Sequence, residues 1–152
     1  MKSASYKKFF LMMGISFLVM YFVMYLNLST FSHFYFNLNR AYMAALMVAP
    51  MGLIMLAFMR GMYKNKKLNL TIAAGCILLF GGVLFLERSQ TPIQDQEFMR
   101  SMIPHHSSAI LVSENADLRD AEVKELAEKI IRSQKEEIAQ MKEILERMGK
   151  EK

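Results

Sequence analysis

The sequence predicts an all-α protein: three transmembrane helices, then an extracytoplasmic antiparallel helical hairpin that dimerisation would complete as a four-helix bundle. Three observations predict it. Long apolar runs occupy the first 86 residues, which contain no Asp or Glu. Charge is split, with eight Lys or Arg before residue 87 and eleven basic against fourteen acidic residues after it. The last thirty residues carry a heptad pattern. The domain boundary falls between a transmembrane region, residues 1–88, and an outer hairpin domain, residues 89–152.

Phe9 to Leu28, Ala41 to Met59 and Leu68 to Leu86 are each nineteen or twenty residues without a charge. That length crosses a bilayer as a helix, which satisfies its own backbone polar groups in lipid. The alternative for the first run is a signal peptide, against which stand its length and the lack of a small-x-small cleavage site after it. Lys2, Lys7 and Lys8 precede the first run, and Arg60, Lys64, Lys66 and Lys67 lie between the second and third. Positive loops stay in the cytoplasm. The N-terminus is therefore cytoplasmic, and everything after Leu86 lies outside. The first loop carries Phe31, Phe34, Tyr35 and Phe36, an aromatic belt in which His33 reads as an interfacial polar residue. In the second crossing Met43, Met47, Met51, Met55 and Met59 recur every four residues. This inclined ridge reads either as flexible packing or as a path for soft ions. Thr71 and Gly75 form a small-xxx-small pair, a mark of close helix contact.

Thr91, Pro92 and Gln94 suit a helix start, with Thr91 as N-cap. That helix runs to about Asn115, with Pro104 inside it. Asp117 or Asp120 can cap the last helix, about Asp120 to Met148. There Val123, Ala127, Ile130, Gln134, Glu137, Met141, Ile144 and Met148 alternate spacings of four and three, a heptad seam. Gln134 and Glu137 break its apolar character. A buried carboxylate needs a proton, a cation, a histidine or a metal. Counting outward from residue 118, Met99 to His106 face roughly Ile130 to Glu137.

The chemistry-bearing stretch is Asp95 to Ile110. On a helix Asp95, Met99, Met102, His106 and Ser113 fall within about 40° of one another, and His105 lies about 100° away. Imidazole with thioether suits copper(I). The other account is helix-face packing. Ser107 and Ser108 are assigned no special part. Other classes are excluded. There is one cysteine, so no intrachain disulfide and no thiolate zinc cluster. No basic stripe lies on the polar half, so nucleic acid is not a partner. Nor is there a nucleophile–base pair for hydrolysis or the set of inward Glu residues that a di-iron oxidase needs.

Asp95-x-x-Phe98-x-x-x-Met102-Ile103-Pro104-His105-His106-x-x-Ala109-Ile110, followed by Leu126-Ala127-x-x-Ile130-x-x-x-Gln134-x-x-Glu137-Ile138-x-x-Met141, resembles the domain-of-unknown-function family 305. The likeness covers about Asp95 to Leu145. It implies a ferritin-like helical bundle, a place in or beyond the bacterial cytoplasmic membrane, and periplasmic copper binding as known for some members. It also makes Asp95, Met102, His105, His106, Gln134, Glu137 and Met141 the motif positions. Family proteins often carry a second copy of the helix pair. This chain has one, which favours a homodimer or higher oligomer.

The resulting expectation is a membrane-anchored, non-enzymatic binding protein for copper(I) or silver(I), in sequestration, tolerance or transfer. Its ligands would be Met99, Met102, His106 and Met141, with His105 reaching across a dimer. Asp95, Gln134 and Glu137 would orient them. Its partners would be membrane lipid, a second copy, and an unidentified metal-delivery protein. The alternative is a structural or dimerisation module whose buried His–Glu network fixes register.

Overall fold

The computed structural model describes residues 2–150. Among them the regular structure is helical: α1 (Lys2–Val23), α2 (Leu38–Phe58), α3 (Lys66–Ser89), α4 (Asp95–Asn115) and α5 (Ala121–Lys150), with a 3-10 turn at Phe31–His33. The chain forms two compact units, Met1–Met24 with Asn39–Pro92, and Tyr25–Leu38 with Ile93–Lys152. The first loop therefore belongs with the last two helices and not with residues 1–88.

In the first unit, Ser5–Val23, Leu38–Phe58 and Lys66–Ser89 are long and apolar enough to cross a membrane. Their outer faces leave Leu11, Leu18, Ile54, Phe58, Leu70 and Leu78 uncovered, which suits hydrocarbon. The first helix stops at Val23, short of Leu28. Tyr25 leaves it and is buried instead. Its hydroxyl donates to the Tyr35 carbonyl at 2.6 Å and accepts from Asn37 Nδ2 at 3.1 Å. The core of the first unit gathers Tyr6, Phe9, Met55, Leu56, Tyr63 and Cys76. At one end Tyr6 Oη donates to Asn69 Oδ1 at 2.7 Å, and Asn69 Nδ2 donates to the Tyr63 carbonyl at 2.7 Å. Asn65 caps α3 by accepting from the Leu68 amide. The close approach expected at Thr71 and Gly75 is absent: Gly75 faces open space, and the Thr71 hydroxyl bonds its own helix at the Lys67 carbonyl. Gly52 on α2 is the crowded glycine instead.

Thr91 does not cap α4. Helix α3 persists to Ser89 and ends through Gln90, which takes a left-handed conformation at φ 53°. The Gln90 and Thr91 amides both donate to the Leu86 carbonyl. Thr91 is thus spent on ending one helix, and α4 begins only at Asp95, with Gln94 at its N-cap. Asp120 does cap α5, its Oδ1 accepting from the Glu122 and Val123 amides at 2.9 and 3.0 Å.

Helices α4 and α5 pack against each other around Ile103, Ile110 and Ile138, with Tyr35, Met141 and Leu145 at the edge. Gln96 and Arg100 share a groove with Leu145 and Gly149, whereas Ser113 and Ala116 share one with Lys124 and Ala127. The helices therefore run in opposite directions. The register differs from the count from residue 118. His106 meets Glu137, not Ile130. A buried imidazole N–H needs an acceptor, and α5 offers one at Glu137 and none at Ile130. The heptad seam holds over most of its length, with Ala127, Ile130, Gln134, Glu137, Met141, Ile144 and Met148 all half-buried. Ile138, outside it, is the most buried residue of α5, while Val123 stays exposed beside the linker.

Ile138→Ala should therefore destabilise the second unit by about 2–5 kcal/mol, the range for truncating a buried Ile. Ile130→Ala, at a half-buried position, should cost less. Denaturant unfolding of the full chain in detergent micelles checks the order, and the reverse order would contradict this register.

Candidate functional site

The buried face of α4 follows steps of four and three through Met99, Ile103, Ser107 and Ile110, with His106 beside it. Pro104 is fully buried within the helix, and the amide it lacks leaves no orphan donor in this apolar wall. These residues surround His106 with hydrocarbon on its own helix. From α5, Glu137 Oε2 reaches His106 Nε2 at 3.1 Å. Its other oxygen accepts from Ser133 Oγ at 2.7 Å, one turn earlier on the same helix. Both carboxylate oxygens are thus engaged, while the carboxylate keeps partial contact with solvent.

Burial pushes the His106 imidazole below its ordinary value of 6.5. The Glu137 carboxylate opposes that shift, and His105 adds to it. The ring is therefore neutral near pH 7. A neutral ring has one N–H, and the facing carboxylate accepts at Nε2. Nδ1 then keeps its lone pair. It is buried, with no hydrogen-bond partner among the described residues, and Gln134 Oε1 is in the same condition. Two buried acceptors without donors are costly unless something electron-poor sits between or beside them.

The structure brings together His106 and Glu137, and it buries Met99. Met141 packs on the isoleucine cluster, and Met102 is half-buried. His105 is exposed, its ring centroid 6.2 Å from that of His106. Asp95 is exposed in the first turn of α4, where a carboxylate favours the helix N-terminus. Among the described residues, no three or more His, Cys, Asp or Glu converge. A cation held here by this chain would need thioether and amide ligands beside the one imidazole. That donor set fits a soft monovalent ion and not a hard divalent one.

Sequence reasoning missed Ser107. Its side chain is fully buried, and its Oγ accepts from the Ser29 amide at 2.9 Å. It also meets Ser29 Oγ at 3.0 Å and His33 Nδ1 at 2.9 Å. One hydroxyl has one donor and two acceptor sites, and all three are used. His33 is thus a tether of the first loop to α4. The signal was present in the spacing, because Ser107 stands four residues after Ile103 and three before Ile110. The Ser107–His33 pair is no hydrolytic dyad. Its oxygen is inaccessible and already accepts from a backbone amide. Burial, then the nearby Lys142 charge, lowers the His33 value below 6.5.

Against known proteins, the model of the domain of unknown function DUF305 matches residues 85–152. An uncharacterized protein of Acanthamoeba polyphaga mimivirus is 36% identical over 112 residues, covering 72% of each chain. The chain belongs to the DUF305 family. The viral likeness is longer than the segment 85–152 and therefore extends into the helices that are long and apolar enough to cross a membrane, beyond the part that the motifs cover. No solved structure matches. In this DUF305 protein the motif positions His106 and Glu137 meet at the α4–α5 contact, while Asp95 and His105 stand at the surface.

Both lowered histidines carry one pH consequence. The unfolded chain protonates at about 6.5, ahead of the folded one, so it binds more protons in the window just below that value. Stability is then full above 6.5 and falls as the pH drops through it. Unfolding midpoints at pH 7.5 and 5.5 should show this loss, and His33→Gln with His106→Gln should flatten it.

Proposed function

We propose that this protein is a membrane-anchored, non-enzymatic binding protein for copper(I) or silver(I), serving sequestration, tolerance or transfer. The observation that supports it is His106. Its Nε2 is committed to a carboxylate, which fixes the tautomer, and its buried Nδ1 lone pair has no donor. Carboxylate–histidine–metal sites are organised in this way. Gln134 supplies a second unpartnered oxygen nearby in sequence to Glu137. Met99, Met102 and Met141 are the thioethers of the same two helices that would complete the set. His105, at the surface, is the residue positioned to reach a second copy, and the proposed assembly is a dimer forming a four-helix bundle.

The orientation proposed is a cytoplasmic N-terminus with α4 and α5 on the extracytoplasmic side, carried by the Lys and Arg of the N-terminus and of the second loop. The bacterial cytoplasmic membrane is the setting that the family resemblance implies. The other reading is a structural module in which the His106–Glu137 contact fixes register. Its support is the contact itself. It leaves Nδ1 unexplained.

A copper(I) competition titration under reducing conditions separates them. His106→Ala should weaken binding by at least about tenfold, the lower bound for losing even a supporting group. Met102→Leu and Met141→Leu, which keep apolar bulk, should weaken it without loss of stability. Binding should also fall as the pH drops below 6.5 through the lowered His106 value, because the metal needs neutral imidazole. If His105→Ala with His106→Ala leaves the affinity of the outer domain intact, the register module is the better account. For orientation, a reporter that is active only in the cytoplasm should be silent when fused after Lys152.

A further inference from the structure

One end of the first unit gathers cations. The Tyr6 hydroxyl of α1 donates to Asn69 Oδ1 on α3 at 2.7 Å and accepts from the Asn65 amide at 3.2 Å. The Tyr6 and Phe9 rings lie 5.3 and 5.6 Å from the ring of Tyr63, in the loop between α2 and α3. The start of α1, that loop and the start of α3 are therefore held together. Lys7, Lys8, Arg60, Lys64, Lys66 and Lys67 stand on these three pieces of chain, and all six are exposed. None of them forms an ion pair among the described residues, and residues 1–86 contain no acid that could supply one. Exposed hydrocarbon begins one turn inside the cations. Lys7 precedes Phe10 and Leu11 by three and four residues, so the three share a helix face. Lys66 and Lys67 stand in the same relation to Leu70, and Arg60 follows Phe58 by two residues. Phe10, Leu11, Phe58 and Leu70 are all largely exposed.

We infer that this end of the first unit binds anionic phospholipid, its cations taking the headgroup phosphates while Phe10, Leu11, Phe58 and Leu70 take the acyl chains. The inference rests on the three helices crossing a membrane. Apolar faces alone would accept any bilayer. The charge is what selects among lipids. In a zwitterionic lipid each phosphate carries its own cation, so little negative charge is left to attract the protein. An anionic lipid leaves one charge to be neutralised, and six uncompensated cations stand where its headgroup would lie. Clusters of this size beside a membrane helix are held by anionic leaflets. The N-terminus of α3, capped by Asn65, adds a helix dipole of the same sign. Five of the six cations are lysines, which act as point charges without the fixed fork of arginine. The surface therefore reads negative charge and not one particular headgroup. The packing of Tyr6 and Tyr63 keeps cations from three segments at one end, so they act on the same few lipids.

The test reconstitutes the full chain in phosphatidylcholine vesicles, with a trace of spin-labelled phosphatidylglycerol or spin-labelled phosphatidylcholine as probe. The lipid immobilised at the protein surface should favour phosphatidylglycerol by at least about fivefold, the effect of one cation at an anionic leaflet. Raising the salt from about 0.01 M to about 1 M should remove most of that preference, as the screening length shrinks from about 30 Å to about 3 Å. Lys7→Gln with Lys8→Gln should lower the preference partway. Adding Lys64→Gln, Lys66→Gln and Lys67→Gln should bring it close to parity, with helical content by circular dichroism unchanged. Arg88→Gln, at the other end of α3, should leave it as it was. Equal retention of the two labels by the starting protein overturns the inference. So does a preference that survives the loss of all five lysines, or one that Arg88→Gln lowers as far as they do. Failure of the membrane reading looks different: neither label would then be immobilised at the protein surface.

Discussion

The contact between His106 and Glu137 decides how the last two helices meet. Ile103, Ile110 and Ile138 pack on either side of it, and isoleucines alone would tolerate several alignments of two long helices. A histidine in an apolar wall tolerates few. It must find an acceptor for its N–H, and α5 offers one at Glu137, already steadied by Ser133. Sliding α5 by one turn would leave the imidazole and the carboxylate each without the other. A polar pair of this kind adds little net stability over a well-packed apolar one, but it makes alternatives expensive.

The first loop is part of the same arrangement. Helix α5 has 30 residues and α4 has 21, so α4 cannot cover its partner along its length. Tyr35 closes part of the exposed edge by packing on the isoleucine cluster. Ser107 ties the loop down through Ser29 and His33, and Lys142 on α5 reaches Ser32 at 3.5 Å. The burial that holds the loop also keeps His33 neutral. A charged imidazole there would face the Lys142 ammonium. Acid therefore loosens the loop and the helix pair together.

The helices were legible because their signals are local. Uncharged runs mark the crossings, and Asp120 marks the start of α5. The errors came where two elements competed for one residue. Thr91 suits an N-cap, yet α3 uses it first, an outcome set by how far α3 continues. The register slipped because a count from the linker fixes only roughly where two helices can meet, whereas the His106–Glu137 contact decides where they do. At the site, His106 and Glu137 were visible as a histidine among apolar neighbours and a carboxylate on a seam. Ser107 was passed over because serine carries no strong composition signal, although its position on the Ile103–Ile110 stripe required a buried partner. Gly52 was invisible for a different reason. What crowds it comes from α1 and α3, and no pattern along α2 reveals that.

The distribution of acidic residues bears on which cations this chain can hold. Hard cations are held by carboxylates and other oxygens, and residues 1–86 have no carboxylate at all. The outer helices have many, but most stand on solvent-facing positions, and among the described residues Glu137 is the carboxylate that meets a histidine across the helix pair. Among the described residues, no three or more His, Cys, Asp or Glu converge. The apolar cores of both units include thioethers, Met55 in the first and Met141 at the edge of the second. Met could be exchanged for Leu at most such positions with little loss of packing, so packing does not require sulfur there.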